Sequence, residues 1–181
     1  MKLFLLSGAH GVGKGFFLKR VKYDIQDYEV LSASGLIERH HTSTDAGYKK
    51  VSNVNNNQDV LIRAINEEKK NNKKNIILDG HLCVFNAEGK VERIPEYFFI
   101  QAGITGIILL QDDSKRICDR IKHRDLSLIS QDDIEQMQNE EQKYAEELKE
   151  KYHIDYMKIT HEWTGEQFSD MLRENEGDSN E

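Results

Sequence analysis

Near the start of the chain, Gly8-Ala9-His10-Gly11-Val12-Gly13-Lys14-Gly15 combines four glycines with one lysine. Glycine permits backbone conformations closed to other residues, so successive N–H groups can ring one concavity. The pattern G-x-x-x-x-G-K, known as Walker A, then places the Lys14 ammonium on the β and γ phosphates of a nucleoside triphosphate. That chemistry needs a strand before the loop and a helix after it, because the helix N-terminus adds partial positive charge. The flanks supply both: residues 2–7 hold four large apolar residues, and residues 14–25 set Phe17, Leu18, Val21 and Ile25 on one stripe. The alternative is a Gly-rich turn.

A second cationic group lies in Asp119-Arg120-Ile121-Lys122-His123-Arg124. On a helix, residues four apart share a face, so Arg120 and Arg124 can clamp one polyphosphate. Arginine suits the task because its planar fork holds phosphate oxygens in pairs and stays charged. A pair of solvated surface arginines is the alternative. His40, His41 and His153 have no carboxylate-cysteine constellation nearby in sequence and do not read as a metal site.

The elements that position these groups alternate. Apolar runs at 2–7, Tyr28–Ser32, 75–78, 104–110 and 154–159 suit strands buried on both faces of a parallel sheet. Between them lie helical patterns. Residues 55–71 carry Val60, Leu61, Ala64 and Ile65, and residues 113–122 carry Ile117, Cys118 and Ile121, with Asp112 as N-cap. Ser130 and Asp133 form a capping box that opens a long polar helix to about Lys151. Residues 164–175 carry Phe168, Met171 and Leu172. Strands alternating with helices imply an α/β fold of βαβ units. At 181 residues, a single domain over 1–175 is expected, with a disordered acidic tail at 176–181.

The chain carries 25 Lys+Arg against 32 Asp+Glu, a net charge of -7, which disfavours nucleic acid as a partner. Cys83 and Cys118 have no metal-ligand spacing and read as reduced thiols of a cytoplasmic protein. No apolar run approaches the roughly 20 residues of a membrane span. The apolar start at residues 3–6 is too short for a signal peptide and leads into the phosphate loop.

The Gly-Lys-Gly of the loop resembles the adenylate kinases and related nucleoside monophosphate kinases, whose pattern is G-x-P-G-x-G-K-G-T. His10 stands in the proline position and Phe16 in the threonine position, where it is expected to pack. Gly15 stands where other phosphate loops carry a Mg²⁺-binding hydroxyl. Ile76-Ile77-Leu78-Asp79-Gly80 is similar to the family's L-D-G strand end, and the resemblance implies that Asp79 orients Mg²⁺ through water. His81, two residues on, and the excursion 81–95 with Gly89 and Pro95 look like the archaeal-type enzymes and the nuclear adenylate-kinase-like ATPases. Arg120 and Arg124 match the arginines leading into the family's lid, which is short here at about 123–130. The following helix offers Gln142 and Lys143 where the family brings a further arginine.

The resemblance implies a three-layer domain whose five-stranded parallel sheet runs in the order 2-3-1-4-5. It implies ATP held by Gly8, His10, Gly11, Val12, Gly13, Lys14, Gly15, Phe16 and Arg120, with Lys14, Asp79, Arg120 and Arg124 catalytic. The acceptor part is about 33–72, and Ser34, Arg39, His81 and Arg93 are the acceptor-binding residues it suggests. Structural service is the alternative for His81. The implied function is transfer from ATP, with Mg²⁺, to a nucleoside monophosphate. Two other readings stand beside it. One is a kinase for another small acceptor. The other is an ATP-binding regulatory subunit or slow ATPase, with a protein partner, which Phe16, Gln142 and the missing F-P-R arginine after Gly80 favour.

Overall fold

The computed structural model describes residues 1–44, 54–125 and 129–177, and side chains within 1–40, 57–123 and 129–175. All five apolar runs form parallel strands: β1 (Leu3–Ser7), β2 (Tyr28–Ser32), β3 (Asn75–Asp79), β6 (Gly106–Gln111) and β7 (Asp155–Thr160). Their order is β2-β3-β1-β6-β7. Counting sheet strands alone, this is the expected 2-3-1-4-5. Two further strands, β4 (Cys83–Phe85) and β5 (Val91–Arg93), make a separate antiparallel hairpin. The sequence shows the excursion but not this pairing, since three-residue strands carry no readable period. Asn86 shapes its turn, accepting at Oδ1 from the amides of Glu88 and Lys90.

Alternation along the strands sorts the core into two layers. Leu3, Leu5, Ile76, Leu78, Ile107 and Leu109 share one cluster with residues of α3 (Val54–Asn71), α4 (Glu96–Ala102) and α6 (Gln131–Tyr152). Phe4, Leu6, Ile77, Ile108 and Leu110 share the other with α1 (Lys14–Val21), α5 (Ser114–Asp125) and α7 (Gly165–Gly177). Strands buried on both faces explain the unbroken apolar runs. Each large side chain so buried contributes roughly 1.5–3 kcal/mol.

The helices differ from expectation in several places. α1 stops at Val21, although Ile25 is still buried. On α3, Ile62 takes the core place expected of Val60. Asp113 rather than Asp112 caps α5, since its Oδ1 accepts from the Arg116 amide. α7 continues to Gly177, into the segment expected as tail. The Ser130–Asp133 capping box is present in both halves. α2 (Ala33–Thr44) and α3 occupy the acceptor part, whose residues 45–53 lie outside the described residues, as do 126–128 of the lid and 178–181 of the tail. Cys83 and Cys118 are buried free thiols. Among the described residues, no helix is long and apolar enough to cross a membrane.

Candidate active site

In parallel sheets, ligands gather at the carboxyl ends of the strands, where the chain leaves the sheet. The phosphate loop leaves β1, the central strand. The register sets Leu6 beside Asp79 on β3 and Ser7 beside Leu109 on β6, so loop and carboxylate are neighbours by topology. Two glycines are required by shape. Gly11 has φ 81, and a Cβ there would collide with the Ile121 side chain. Gly13 has φ 99 and starts α1 without a side-chain cap, leaving the first helical N–H groups for a ligand.

Lys14 is 8% exposed. Its Nζ lies 3.3 Å from the Gly8 carbonyl, 3.7 Å from Asp79 Oδ1, and 3.4 Å from His81 Nε2. Burial pushes the ammonium's pKa down, while Asp79 and Glu141 pull it up. Burial likewise pushes Asp79 up, against the pull of Lys14. His81 lies 3.1 Å from the Gly8 carbonyl through Nδ1, which must therefore carry the proton and donate, leaving Nε2 to accept from Lys14. Burial, then the charges of Lys14 and His10, hold His81 down to about 3, so it is neutral at neutral pH. His81 thus contacts Lys14 and also lines the cleft, where the resemblance suggests an acceptor role.

Arg120 serves the loop differently from the clamp expected of it. Its Nη1 donates to the carbonyls of Gly11 at 3.2 Å and Val12 at 2.5 Å, and its Nη2 is paired with Asp112. His161, just past β7, lies with Nε2 2.6 Å from the same Val12 carbonyl. Arg120 therefore holds the back of the loop while also lining the cleft in front of it. Arg124 lies on α5, one turn on; its side chain is outside the described residues. Arg120→Lys keeps the charge but cannot reach two carbonyls and Asp112 together. It is expected to weaken ATP binding about tenfold, the worth of one charge-assisted hydrogen bond. Equal affinities in calorimetric titration would mean that the loop keeps its shape unaided.

Two residues here have no sequence motif. His161 follows the last strand, and only the rule about strand ends points to it. Glu141, on α6, reads as part of a solvated acidic face, yet it is 0% exposed. Its Oε1 accepts from Ser7 Oγ at 2.8 Å, and Ser7 Oγ accepts from the Leu82 amide at 2.8 Å. Among the described residues its Oε2 has no hydrogen-bond partner. Burial pushes Glu141 up to about 7, with the Ser7 bond, Lys14 and the nearby Leu82 and Cys83 amides pulling it down. Of Gln142 and Lys143, which stand where the resembled family brings a further arginine, Gln142 bonds Glu146 and Lys158, and Lys143 is exposed.

In front of Lys14 opens a cleft of about 770 Å³ that reaches from the loop to α2, α3 and α4. His10, Gly11, Gly13, Gly15, Phe16, Asp79, His81 and Arg120 line it, and Ser34 lines its far half. Phe16, expected to pack, is 67% exposed, with its ring tilted against His161. Gly8 and Val12 lie behind the lining, Val12 as core. Arg39 does not line the cleft; its Nη2 pairs with Glu68 at 3.2 Å. Nor does Arg93, which pairs with Glu140 at 2.6 Å and Glu147 at 2.5 Å and stacks on Tyr144. The acidic residues of α6 claim it first. For Mg²⁺, the cleft offers Asp79 as its single lining carboxylate among the described residues, which suits an ion that keeps water and phosphate oxygens as its other ligands.

A loop between the central strand and its helix, a buried lysine, and a carboxylate ending the neighbouring strand together define a P-loop domain of the kinase-like kind. The chain belongs to the AAA domain family, whose model matches residues 7–138. Its fold is similar to that of the Deinococcus radiodurans tunicamycin resistance protein, with TM-score 0.61 and 10% identity over 97% of this chain and 95% of that one. It is also similar to TT1252 from Thermus thermophilus, with TM-score 0.52 and 13% identity over 99% and 98%. A gluconokinase from Sinorhizobium meliloti 1021 aligns at TM-score 0.48 and 11% identity over 96% and 89%. No curated protein matches the sequence. At these identities the likeness shows the fold alone, and it does not single out the adenylate kinases.

Proposed function

We propose that the protein transfers the γ-phosphoryl group of ATP to a small molecule seated in the far half of the cleft. The observation that carries this is the placement of Lys14 Nζ, beside both the loop and Asp79, on a cleft of about 770 Å³. The loop amides and Lys14 hold the phosphate chain, and His81 keeps Lys14 on the Gly8 side. Asp79 would hold Mg²⁺ through water, and the ion would neutralise phosphate charge. Positioning and charge stabilisation supply the catalysis, since phosphoryl transfer asks little covalent chemistry of the protein.

The adenylate-kinase resemblance names a nucleoside monophosphate as acceptor. The arginines expected at the acceptor, Arg39 on its phosphate and Arg93 on its base or phosphate, pair with carboxylates instead and do not support that choice. The regulatory or slow-ATPase reading draws support from Phe16, which stands where the resembled family has a phosphate-touching hydroxyl, and from His81-Leu82-Cys83, which supplies no arginine after Gly80. Titration of the full chain with ATP and Mg²⁺, followed by a coupled assay of ADP release over an acceptor panel, separates them. Binding with acceptor-dependent ADP release is expected. Binding without it favours the regulatory reading, and no binding removes both.

A further inference from the structure

The far half of the cleft differs chemically from the loop half. Its polar side chains are neutral. The Ser32 and Ser34 hydroxyls lie 3.0 Å apart, and the Asn57 and Gln58 amides project from the first turns of α3. Gln58 is 7% exposed, and among the described residues its amide makes no hydrogen bond. Its amide is not sealed from water and lines the cleft, where a ligand can take the place of solvent. Around it stand Ile37, Leu61, Val84, Ile94 and Phe98.

Among the described residues the cations lining the cleft are Lys14 and Lys19 of α1 and Arg120 of α5, and α2, α3 and α4 contribute none. A phosphomonoester brought there would lose water without gaining the charge-assisted bonds that replace it. An uncharged ligand incurs no such loss, and an amide offers it both a donor and an acceptor.

We propose that this half binds an uncharged organic alcohol, with polar groups on Gln58, Asn57 and the serine pair and an apolar face on Leu61 and Phe98. This rests on the phosphoryl-transfer reading above and defines its acceptor. The alcohol oxygen forms a bond to the γ phosphorus, and the bond from that phosphorus to the β–γ bridging oxygen breaks. ADP leaves with that electron pair, and the hydroxyl proton passes to solvent.

The test uses the full chain with radiolabelled ATP, Mg²⁺ and matched pairs: nucleosides, monosaccharides, polyols and aromatic alcohols, each beside its own monophosphate. At least one uncharged compound should accept phosphate about tenfold faster than its monophosphate does. Gln58→Leu should then raise KM for that acceptor about tenfold, and KM for ATP by less, in keeping with one lost hydrogen bond. A monophosphate that outruns its parent alcohol, or a panel in which no uncharged compound is phosphorylated, overturns the inference. Calorimetry with ATP, run first, distinguishes the failures. No ATP binding removes the phosphoryl-transfer reading itself, whereas ATP binding with a preference for monophosphates removes only the uncharged acceptor.

Discussion

Lys14→Met should lower turnover about 10²–10³-fold, the usual cost of removing one preorganised donor from developing negative charge. Methionine fills nearly the same slot, so a residue 8% exposed is replaced without a cavity. What is lost is the ammonium. The γ-phosphoryl oxygens then lack their nearest cation, and Asp79, already pushed up by burial, loses the charge that holds it down. The substitution also removes a buried charge whose own pKa burial lowers, so the fold itself should tolerate it. Single-turnover ADP formation and a urea midpoint, measured on the same samples, check both halves. Turnover within threefold of the parent would place Lys14 outside the chemistry.

The other large effect belongs to Glu141 and is read in stability. Its folded pKa of about 7 stands above the ordinary 4.5. Between those two values the folded state keeps a proton that the unfolded state has released. The stability from this group is therefore full below about pH 4.5 and is lost as pH rises to about 7. A tenfold change in proton affinity is worth about 1.4 kcal/mol, so the loss across this range is about 3 kcal/mol. Glu141→Gln cannot titrate, so urea unfolding across this range should show the parent losing about that much relative to the variant. A difference that stays constant with pH would mean that Lys14 and the neighbouring amides keep Glu141 ionised throughout.

The groups legible in the sequence are those whose partners lie close along the chain. The loop, its flanking strand and helix, and the Ser130 capping box are local patterns. The sheet order follows from five buried runs together with the family resemblance. Glu141 was not legible because α6 presents many acidic residues, and only packing against Ser7, 134 residues away, shows which one is buried. Arg93 misled for the same reason in reverse. The family resemblance suggests it as an acceptor ligand, whereas Glu140 and Glu147 from a distant helix satisfy it. Arg120 was found by its spacing, but its actual bonds run to loop carbonyls that no spacing rule describes.

The central position of β1 bears on how the protein is made. The phosphate loop precedes most of its supports along the chain, and its Val12 carbonyl is bound by Arg120 and by His161. β1 itself pairs with β3 and β6, so its edges are satisfied only after roughly a hundred residues have followed it. Contacts of such long sequence separation close slowly and late. A chain still emerging from the ribosome therefore carries the nucleotide motif without its supports, and competence for nucleotide arrives only with the last strand.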